Sequence, residues 1–333
     1  ARARGVRVVG EVELASLFLQ GDTIGITGSN GKTTATALAG RLLEECGIPV
    51  QVGGNIGTIP AAAMAAASRP GQWNVLELSS FQLETIESFR ARIAVALNVT
   101  QDHLDRHHTF AGYAAAKARL FETQGRDDFA VLNADDPTCG SYAARTAGQV
   151  FWFSLERAVR PGAWLEGGTL LLEGRPLLEA REIPLRGRHN IENVLAAALA
   201  AWLTGASVEG IAAGIRAFRA VEHRLEFVRR AGGVDYYNDS KATNVDSALK
   251  AIDSFEGGLW IILGGKDKGS DYAPLAAPLA AKARAALLIG AAAPLIERQL
   301  AGSVPLAHCG TIETAVRTAF ERAAPGDTVL LAP

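Results

Sequence analysis

Residues 23–34 read TIGITGSNGKTT, in which an apolar, β-branched run meets a glycine-rich turn and then the start of a helical pattern. Gly28 and Gly31 allow the backbone of such a turn to pass close to phosphate oxygens, while successive N–H groups and the helix N-terminus face the anion. Lys32 adds a positive charge, and Thr33 is placed to coordinate magnesium. This combination predicts a phosphate-binding loop between a strand and a helix of an α/β sheet.

The loop is a variant, because the strict Walker A spacing would have glycine where Ile26 stands. A glycine turn with a purely structural role is the alternative interpretation of the same residues. We favour phosphate binding because the strand, the loop, the Lys-Thr pair and the helix coincide.

Beyond this loop, short β-branched runs alternate with longer Ala- and Leu-rich helical patterns, which is typical of a parallel sheet covered by helices. The fold class is therefore α/β. The first sheet is predicted to have strands at 23–27, 74–78, 93–98 and 129–132, helices at 33–45 and 110–123, hairpins within 164–178, and closing helices at 190–203 and 208–218. A second α/β pattern has predicted strands near 225–229, 234–238, 259–263, 285–289 and 328–331. We place a connector at 1–20, one domain at 21–220 and a second at 221–333.

The composition excludes several classes of function. The 333 residues carry 33 Lys and Arg against 35 Asp and Glu, and a net charge of −2 is not that of a nucleic-acid-binding protein. Three widely spaced cysteines, Cys46, Cys139 and Cys309, predict neither a disulfide framework nor a zinc cluster and favour a reducing cytoplasm. Since no apolar stretch approaches the ~20 residues of a spanning helix, no membrane insertion is expected.

Polar side chains follow the next two strands of the first sheet, at the edge where parallel sheets bind ligands. Glu77 is suited to hold a magnesium ion that is charge-balanced by phosphate, although an exposed strand-end glutamate is the alternative. His103 could ligate metal or orient a carboxylate, whereas a lone histidine is more often structural. We interpret His107 and His108 as loop surface.

Two further groups of polar residues indicate ligand contacts. Asn190 and Asn193 lie one helical turn apart on one face, where paired amides either read an adenine edge or cap the helix. In the second domain, His223-Arg224 and the block at 238–244 put dense polarity at strand ends. These clusters are too polar for a core.

Taken together, seven blocks resemble the ATP-dependent Mur ligases: TGSNGKTT at 27–34, GGNIG at 53–57, LELSSFQLE at 76–84, NVTQDHLDRH at 98–107, GRHNIEN at 187–193, EHRLE at 222–226 and NDSKATN at 238–244. The resemblance covers essentially the whole chain and implies a central P-loop-type parallel-sheet ATPase domain followed by a smaller Rossmann-like α/β domain. LELSSFQLE and NDSKATN are similar to the members that add D-glutamate to UDP-N-acetylmuramoyl-L-alanine. Those members also have an N-terminal uridine-binding domain and a final C-terminal segment, which we expect to lie outside these 333 residues, with poor turnover as the consequence.

The resemblance also implies roles for individual residues. ATP would be bound by Gly28, Ser29, Asn30, Gly31, Lys32, Thr33 and Thr34, with Asn190 and Asn193 near adenine and Arg224 and Asp239 from the second domain. Thr33 and Glu77 would bind one magnesium ion, and His103 would bind the second, bridged by a carbamate on Lys117; Lys32, His103 and Lys117 would be the catalytic set. Asn55 and Ser79 would approach the muramoyl-alanine, and Lys241, Thr243 and Lys268 would bind D-glutamate. The residue pattern around Lys117 by itself predicts only a solvated helix residue.

The implied reaction is amide formation through an acyl phosphate, with ATP, two magnesium ions and the Lys117 carbamate, in a cytoplasmic monomer. Because nucleotide residues and glutamate residues fall in different domains, domain closure is expected to assemble the site. Two alternatives stay open: another amide ligase of the same superfamily, such as a folylpolyglutamate synthase, or a nucleotide-binding fragment without full activity.

Overall fold

The computed structural model of the chain describes residues 8–57, 59–266 and 270–333. Contacts divide the chain into two compact units, one with residues up to Leu185 and His189–Arg219, the other with Arg186–Arg188 and Ala220–Pro333. The sequence placed 186–188 in the first domain. The difference arises because the Arg186 guanidinium lies over the rings of Tyr237 and Phe255, 5.3 and 5.7 Å from their centroids.

One mixed sheet organises the first unit. Its strands are β1 (Asp22–Thr27), β2 (Val50–Gly54), β3 (Trp73–Glu77), β4 (Ile93–Ala96), β5 (Phe129–Asn133), β6 (Gln149–Ser154), β7 (Gly162–Glu166), β8 (Thr169–Leu172) and β9 (Arg175–Glu179). They pair in the order β2-β3-β1-β4-β5-β6-β7-β8-β9, in parallel as far as β7 and antiparallel from β7 to β9. Since β1 lies between β3 and β4, the C-terminal ends of these three strands meet at one edge.

Helices cover this sheet and position its loops. They are α1 (Glu11–Ser16), α2 (Lys32–Glu45), α3 (Ala61–Ala67), α4 (Ser80–Leu83), α5 (Leu104–His107), α6 (Phe110–Glu122), α7 (Pro137–Ser141), α8 (Arg188–Leu203) and α9 (Val208–Ala217). In α2, Leu38, Leu42 and Leu43 are fully buried, so this helix is anchored along its length. In α8, all residues from Val194 to Ala201 are buried, which makes this helix a central part of the core.

The second unit is built on a separate sheet. Its strands are β10 (Glu226–Ala231), β11 (Val234–Asn238), β12 (Leu259–Gly265), β13 (Ala283–Gly290), β14 (Leu306–Gly310) and β15 (Thr328–Leu331), and its helices are α10 (Val245–Asp253), α11 (Ala276–Lys282), α12 (Ala293–Leu300) and α13 (Ile312–Arg322). The order is β10-β11-β15-β12-β13-β14, parallel except for the β10–β11 hairpin. Ile261 and Ile262 are adjacent in β12 and enter different hydrophobic clusters, as expected for a strand buried on both faces.

The predicted α/β class is confirmed, with strands and helices in the predicted alternation. The strands β2, β6 and β14 were not predicted. Two of them, VQVGG and LAHCG, are short and end in glycine, whereas the aromatic run of β6, QVFWFS, could have been recognised. Within the described residues, no helix combines the length and the apolar composition needed to cross a bilayer.

Candidate functional site

The turn after β1 forms a tight loop that leads into α2. Gly31 has a left-handed backbone with φ 83°, and a Cβ there would lie 2.2 Å from the side-chain oxygen of Asn193. Glycine is therefore required both by the backbone angle and by the close approach of α8. The Lys32 ammonium folds back over the loop and donates to the carbonyls of Gly28 and Ser29, each at 2.9 Å.

Asn98, for which the sequence predicted no role, holds this loop in place. The Asn30 N–H donates to Asn98 Oδ1 at 2.9 Å, and Asn98 Nδ2 donates to the Asn30 carbonyl at 3.1 Å. The Ser29 N–H also donates to the Asn98 carbonyl at 2.9 Å. One side-chain amide thus satisfies both backbone groups of a loop residue. Its place directly after β4, opposite the glycine-rich turn, is the signal that could have identified it.

Glu77 and Thr33 meet next to the loop. The Glu77 carboxylate is buried, with 2% exposure, and its Oε2 accepts from Thr33 Oγ1 at 2.8 Å. Its Oε1 accepts from Asn55 Nδ2, also at 2.8 Å. The alternative of an exposed strand-end glutamate is therefore wrong. Asn55, expected at the substrate, makes its side-chain contact with Glu77.

Lys117 is buried beside the same loop, so the expectation of a solvated helix residue is wrong. It is 1% exposed, lies 4.5 Å above the ring centre of Tyr113, and donates from Nζ to the Gly28 carbonyl at 2.8 Å. Burial lowers the pKa of Lys117 well below its ordinary value, and the charge of Lys32 lowers it further. Two lysine amines share one carbonyl acceptor, which favours the neutral form of the buried one.

His103 lies farther out and connects to the loop through Tyr113. The Tyr113 hydroxyl is 3.0 Å from Ser29 Oγ, and the rings of His103 and Tyr113 are 6.2 Å apart. The His103 side chain is 41% exposed, with Nε2 3.8 Å from Asp102 Oδ2. The structure thus brings Lys32, Thr33, Glu77 and Lys117 around the loop and leaves His103 at its outer side. No role was predicted from the sequence for Tyr113, which connects His103 to the loop.

His107 is not loop surface as expected. Its side chain is 2% exposed, with Nδ1 3.0 Å from Glu84 Oε1 and Nε2 2.9 Å from Ser80 Oγ. Burial lowers its pKa, although Glu84 opposes the shift. The residue ties α5 to α4, and its neighbour His108 is exposed as predicted.

The remaining predicted residues of the first unit lie near the loop with structural contacts of their own. Asn193 Nδ2 donates to Asn190 Oδ1 at 3.1 Å, and both residues are buried where α8 approaches Gly31. Thr34 is buried in the first turn of α2. Ser79 is the N-cap of α4, so its hydroxyl takes part in a capping box.

The second unit carries its own polar cluster. Arg224 Nη1 donates to the Lys241 carbonyl at 3.1 Å, and Asp239 Oδ1 accepts from the Leu225 N–H at 3.3 Å. Burial raises the pKa of Asp239, which is 7% exposed, to about 6. Thr243 lines a cavity of about 240 Å³, and the predicted Lys268 lies outside the described residues.

The donor set fits a magnesium–nucleotide complex better than a metal held by protein alone. Across 8–57, 59–266 and 270–333, no three His, Cys, Asp or Glu side chains are grouped to hold a metal. Magnesium commonly takes one or two protein oxygens and fills the other positions with water and phosphate. The Thr33 hydroxyl and the Glu77 carboxylate, in contact with each other beside the loop, supply those oxygens.

Comparisons with known proteins give two family matches along the chain. The sequence matches the Mur ligase middle domain over residues 26–201 and the Mur ligase, glutamate ligase domain over residues 223–333. It is 68% identical over 333 residues to the UDP-N-acetylmuramoylalanine--D-glutamate ligase of Solibacter usitatus (strain Ellin6076), covering all of this chain and 75% of the relative. It is 54% identical over 338 residues to the protein of that name from Acidobacterium capsulatum, covering all of this chain and 73% of the relative. Among solved structures it is similar in fold to the MurF ligase from Thermotoga maritima in complex with ADP, with a TM-score of 0.74 at 19% identity over 96% of this chain and 78% of that one.

Proposed function

The chain belongs to the Mur ligase family, and we propose that it joins D-glutamate to UDP-N-acetylmuramoyl-L-alanine in an ATP-dependent step of peptidoglycan precursor synthesis. The observation that carries the proposal is the 68% identity, across the whole chain, to a ligase named for that reaction. The hydrogen bond from Thr33 to the buried Glu77 carboxylate, beside the loop, supports the proposal from the geometry. We also propose that the enzyme is a monomer and that it acts in the cytoplasm.

ATP is assigned to the loop at 28–34. The N–H groups at the start of α2 and the Lys32 ammonium would face its phosphates, since a helix N-terminus preceded by glycines binds anions. Asn190 and Asn193 are assigned to adenine, and Arg224 and Asp239 to the nucleotide from the second unit. Thr33 and Glu77 would hold one magnesium ion and His103 with Lys117 the second; bound magnesium would offset negative charge on the phosphate oxygens.

Lys117 is assigned a carbamate in the active enzyme. Its neutral amine, favoured by burial and by Lys32, can attack carbon dioxide to form an N–C bond and release one proton. The product is an anionic oxygen ligand in place of a cation that would repel magnesium. A carbamate carbon signal in NMR spectra under ¹³C-labelled carbon dioxide, absent in Lys117→Met, is the expected result, and equal spectra for both proteins would contradict it.

The reaction needs no protein nucleophile. The substrate carboxylate attacks the γ-phosphorus of ATP, ADP leaves, and an acyl phosphate forms. The D-glutamate ammonium loses a proton, and the resulting amine attacks the acyl carbon. The tetrahedral intermediate then loses a second proton from nitrogen and releases inorganic phosphate, which leaves the amide. Lys32 offsets charge that develops on the phosphate oxygens, and Lys241, Thr243 and Lys268 are assigned to D-glutamate.

In the direct test, the purified chain is incubated with ATP, magnesium and UDP-N-acetylmuramoyl-L-alanine together with D-glutamate, L-glutamate or L-lysine. A separate reaction contains a folate and L-glutamate instead. We expect a mass-spectrometric product only with D-glutamate, at enzyme concentrations that detect a single turnover. A product with another acceptor pair would favour the alternative of a different ligase of the superfamily. Nucleotide binding without any product would favour a binding module.

A further inference from the structure

Two glycines at the end of β2 leave no room for a side chain between that strand and its neighbours. Gly54 pairs in register with Glu77 and has φ 87°, and a Cβ on Gly54 would lie 2.5 Å from the Glu77 carbonyl oxygen. A Cβ on Gly53 would lie 2.3 Å from the Ile59 carbonyl oxygen. Only glycine tolerates both approaches, so the backbone at 53–54 is shaped to carry the next residue against β3.

That next residue is Asn55, which contacts Glu77 twice. Its N–H donates to the Glu77 carbonyl at 2.9 Å, and its Nδ2 donates to Glu77 Oε1 at 2.8 Å. The backbone bond fixes the position from which the side chain reaches the carboxylate. Because Thr33 of α2 donates to Oε2, hydrogen-bond donors from two separate segments of the chain hold the two oxygens of a buried carboxylate.

An asparagine suits this place for chemical reasons. Its amide donates a hydrogen bond to a carboxylate without adding a charge that would compete with a cation, and hydrogen bonds to ionised groups are the stronger ones. A lysine or arginine would neutralise Glu77 and weaken its attraction for a metal. The amide therefore orients the carboxylate and leaves its negative charge available.

We propose that Asn55 is a positioning residue, which holds the Glu77 carboxylate in the orientation from which Glu77 and Thr33 bind the magnesium of a magnesium–nucleotide complex. This inference rests on the proposed function of the loop. It differs from the expectation that Asn55 approaches the muramoyl-alanine, because Asn55 acts on the reaction through Glu77. Groups that orient a metal ligand typically change metal affinity by about 10- to 100-fold when removed.

The test measures binding of a non-hydrolysable ATP analogue by calorimetry, in excess magnesium and in EDTA. For Asn55→Leu, which keeps the side-chain volume and removes the donor, we expect the gain in affinity from magnesium to fall about 10- to 100-fold, with affinity in EDTA unchanged within about twofold. The matched control is Gln51→Leu in β2, the strand that leads to Asn55. The Gln51 amide donates to Asn74 Oδ1 and to the Met64 carbonyl, away from Glu77. This control should keep the full magnesium gain even where its melting temperature falls.

A double-variant cycle separates action through Glu77 from direct action. In a Glu77→Gln background, Asn55→Leu should cause no further loss of the magnesium gain. A full magnesium gain in Asn55→Leu, or an equal further loss in the Glu77→Gln background, would overturn the inference and leave the proposed function standing. A wild-type chain that binds the analogue equally with magnesium and with EDTA would overturn both.

Discussion

Replacing Asp239 by asparagine is expected to stabilise the second unit at neutral pH. Asp239 is 7% exposed, and its carboxylate accepts a hydrogen bond from the Leu225 N–H at 3.3 Å. Burial raises its pKa from 3.8 to about 6, while the Leu225 hydrogen bond and the charge of Arg224 act in the opposite direction. Asparagine keeps an acceptor oxygen for Leu225 and removes the charge, so the substitution isolates the effect of ionisation.

The sign and the size follow from these two pKa values. The folded chain binds the Asp239 proton more tightly than the unfolded chain, so stability falls as pH rises from about 4 to about 6 and stays low above that range. The loss of stability caused by ionisation of Asp239 corresponds to about 3 kcal/mol at pH 7.5 and about 1 kcal/mol at pH 4.5. Asp239→Asn should therefore raise the free energy of unfolding by up to these amounts. Because we assign Asp239 to the nucleotide, the same substitution should lower nucleotide-dependent activity.

Hydrogen exchange of the β11 amides, read by mass spectrometry, reports the opening free energy of this unit specifically. The control is Asp235→Asn in the same strand. Its hydrogen-bonded partner Arg230 lowers the pKa of Asp235, so this substitution should destabilise above the unfolded pKa and lose its effect as pH falls. A destabilised Asp239→Asn at pH 7.5, or a stability gain that does not change between pH 4.5 and 7.5, would refute the reasoning.

Three further predictions concern the first unit. Glu13→Ala should lower the free energy of unfolding in urea by about 3 kcal/mol, because the partly buried N–H groups of Glu87 and Ser88 and the buried N–H group of Phe89 lose their acceptor. Although burial raises the pKa of Glu13, the hydrogen bond from the Ser88 hydroxyl and those from the three N–H groups outweigh burial and lower the pKa. The loss of stability should therefore shrink as pH falls through the pKa of folded Glu13, and a loss that stays constant down to acid pH would count against this account. Lys117→Met should stabilise the chain at pH 7 and flatten the rise of stability toward pH 10, as measured by urea unfolding. The reason is that burial lowers the pKa of the Lys117 amine, so the amine lowers the stability of the folded chain at every pH below its unfolded pKa. A less stable variant would contradict this. Gly31→Ala should abolish binding of a fluorescent ATP analogue, because a methyl group there is strained at a φ of 83° and would lie 2.2 Å from the Asn193 side-chain oxygen. Gly47 has a similar φ of 69° but no atom within 4 Å of the added Cβ, so alanine there should leave binding intact. Retained affinity in Gly31→Ala would show that the loop does not need this geometry.

The sequence was most informative where one residue type has few uses. Gly31-Lys32-Thr33 after an apolar strand predicts a phosphate loop because glycine conformation, charge and a hydroxyl are required together. Glu77 could be placed at the same edge because it ends a neighbouring parallel strand. Both inferences follow from local pattern and sheet topology alone.

The sequence was least informative where a residue acts through a contact with a residue distant in the chain. Lys117 has the pattern of a solvated helix residue, and only packing against Tyr113 and the Gly28 carbonyl buries its amine. His107 has the pattern of a loop histidine, yet Ser80 and Glu84 enclose it from another segment. Asn98 and Asn55 are ordinary strand-end amides until pairing order places them against the loop and Glu77.

In the proposed reaction, ATP bound by the phosphate loop activates the substrate carboxylate by transferring its γ-phosphoryl group to it. The most direct measurement uses UDP-N-acetylmuramoyl-L-alanine with ¹⁸O in its carboxylate and follows the isotope into inorganic phosphate by mass spectrometry. If a carboxylate oxygen bridges carbon and phosphorus before D-glutamate displaces it, each phosphate released with product should carry one ¹⁸O. Formation of the amide with unlabelled phosphate would contradict the account.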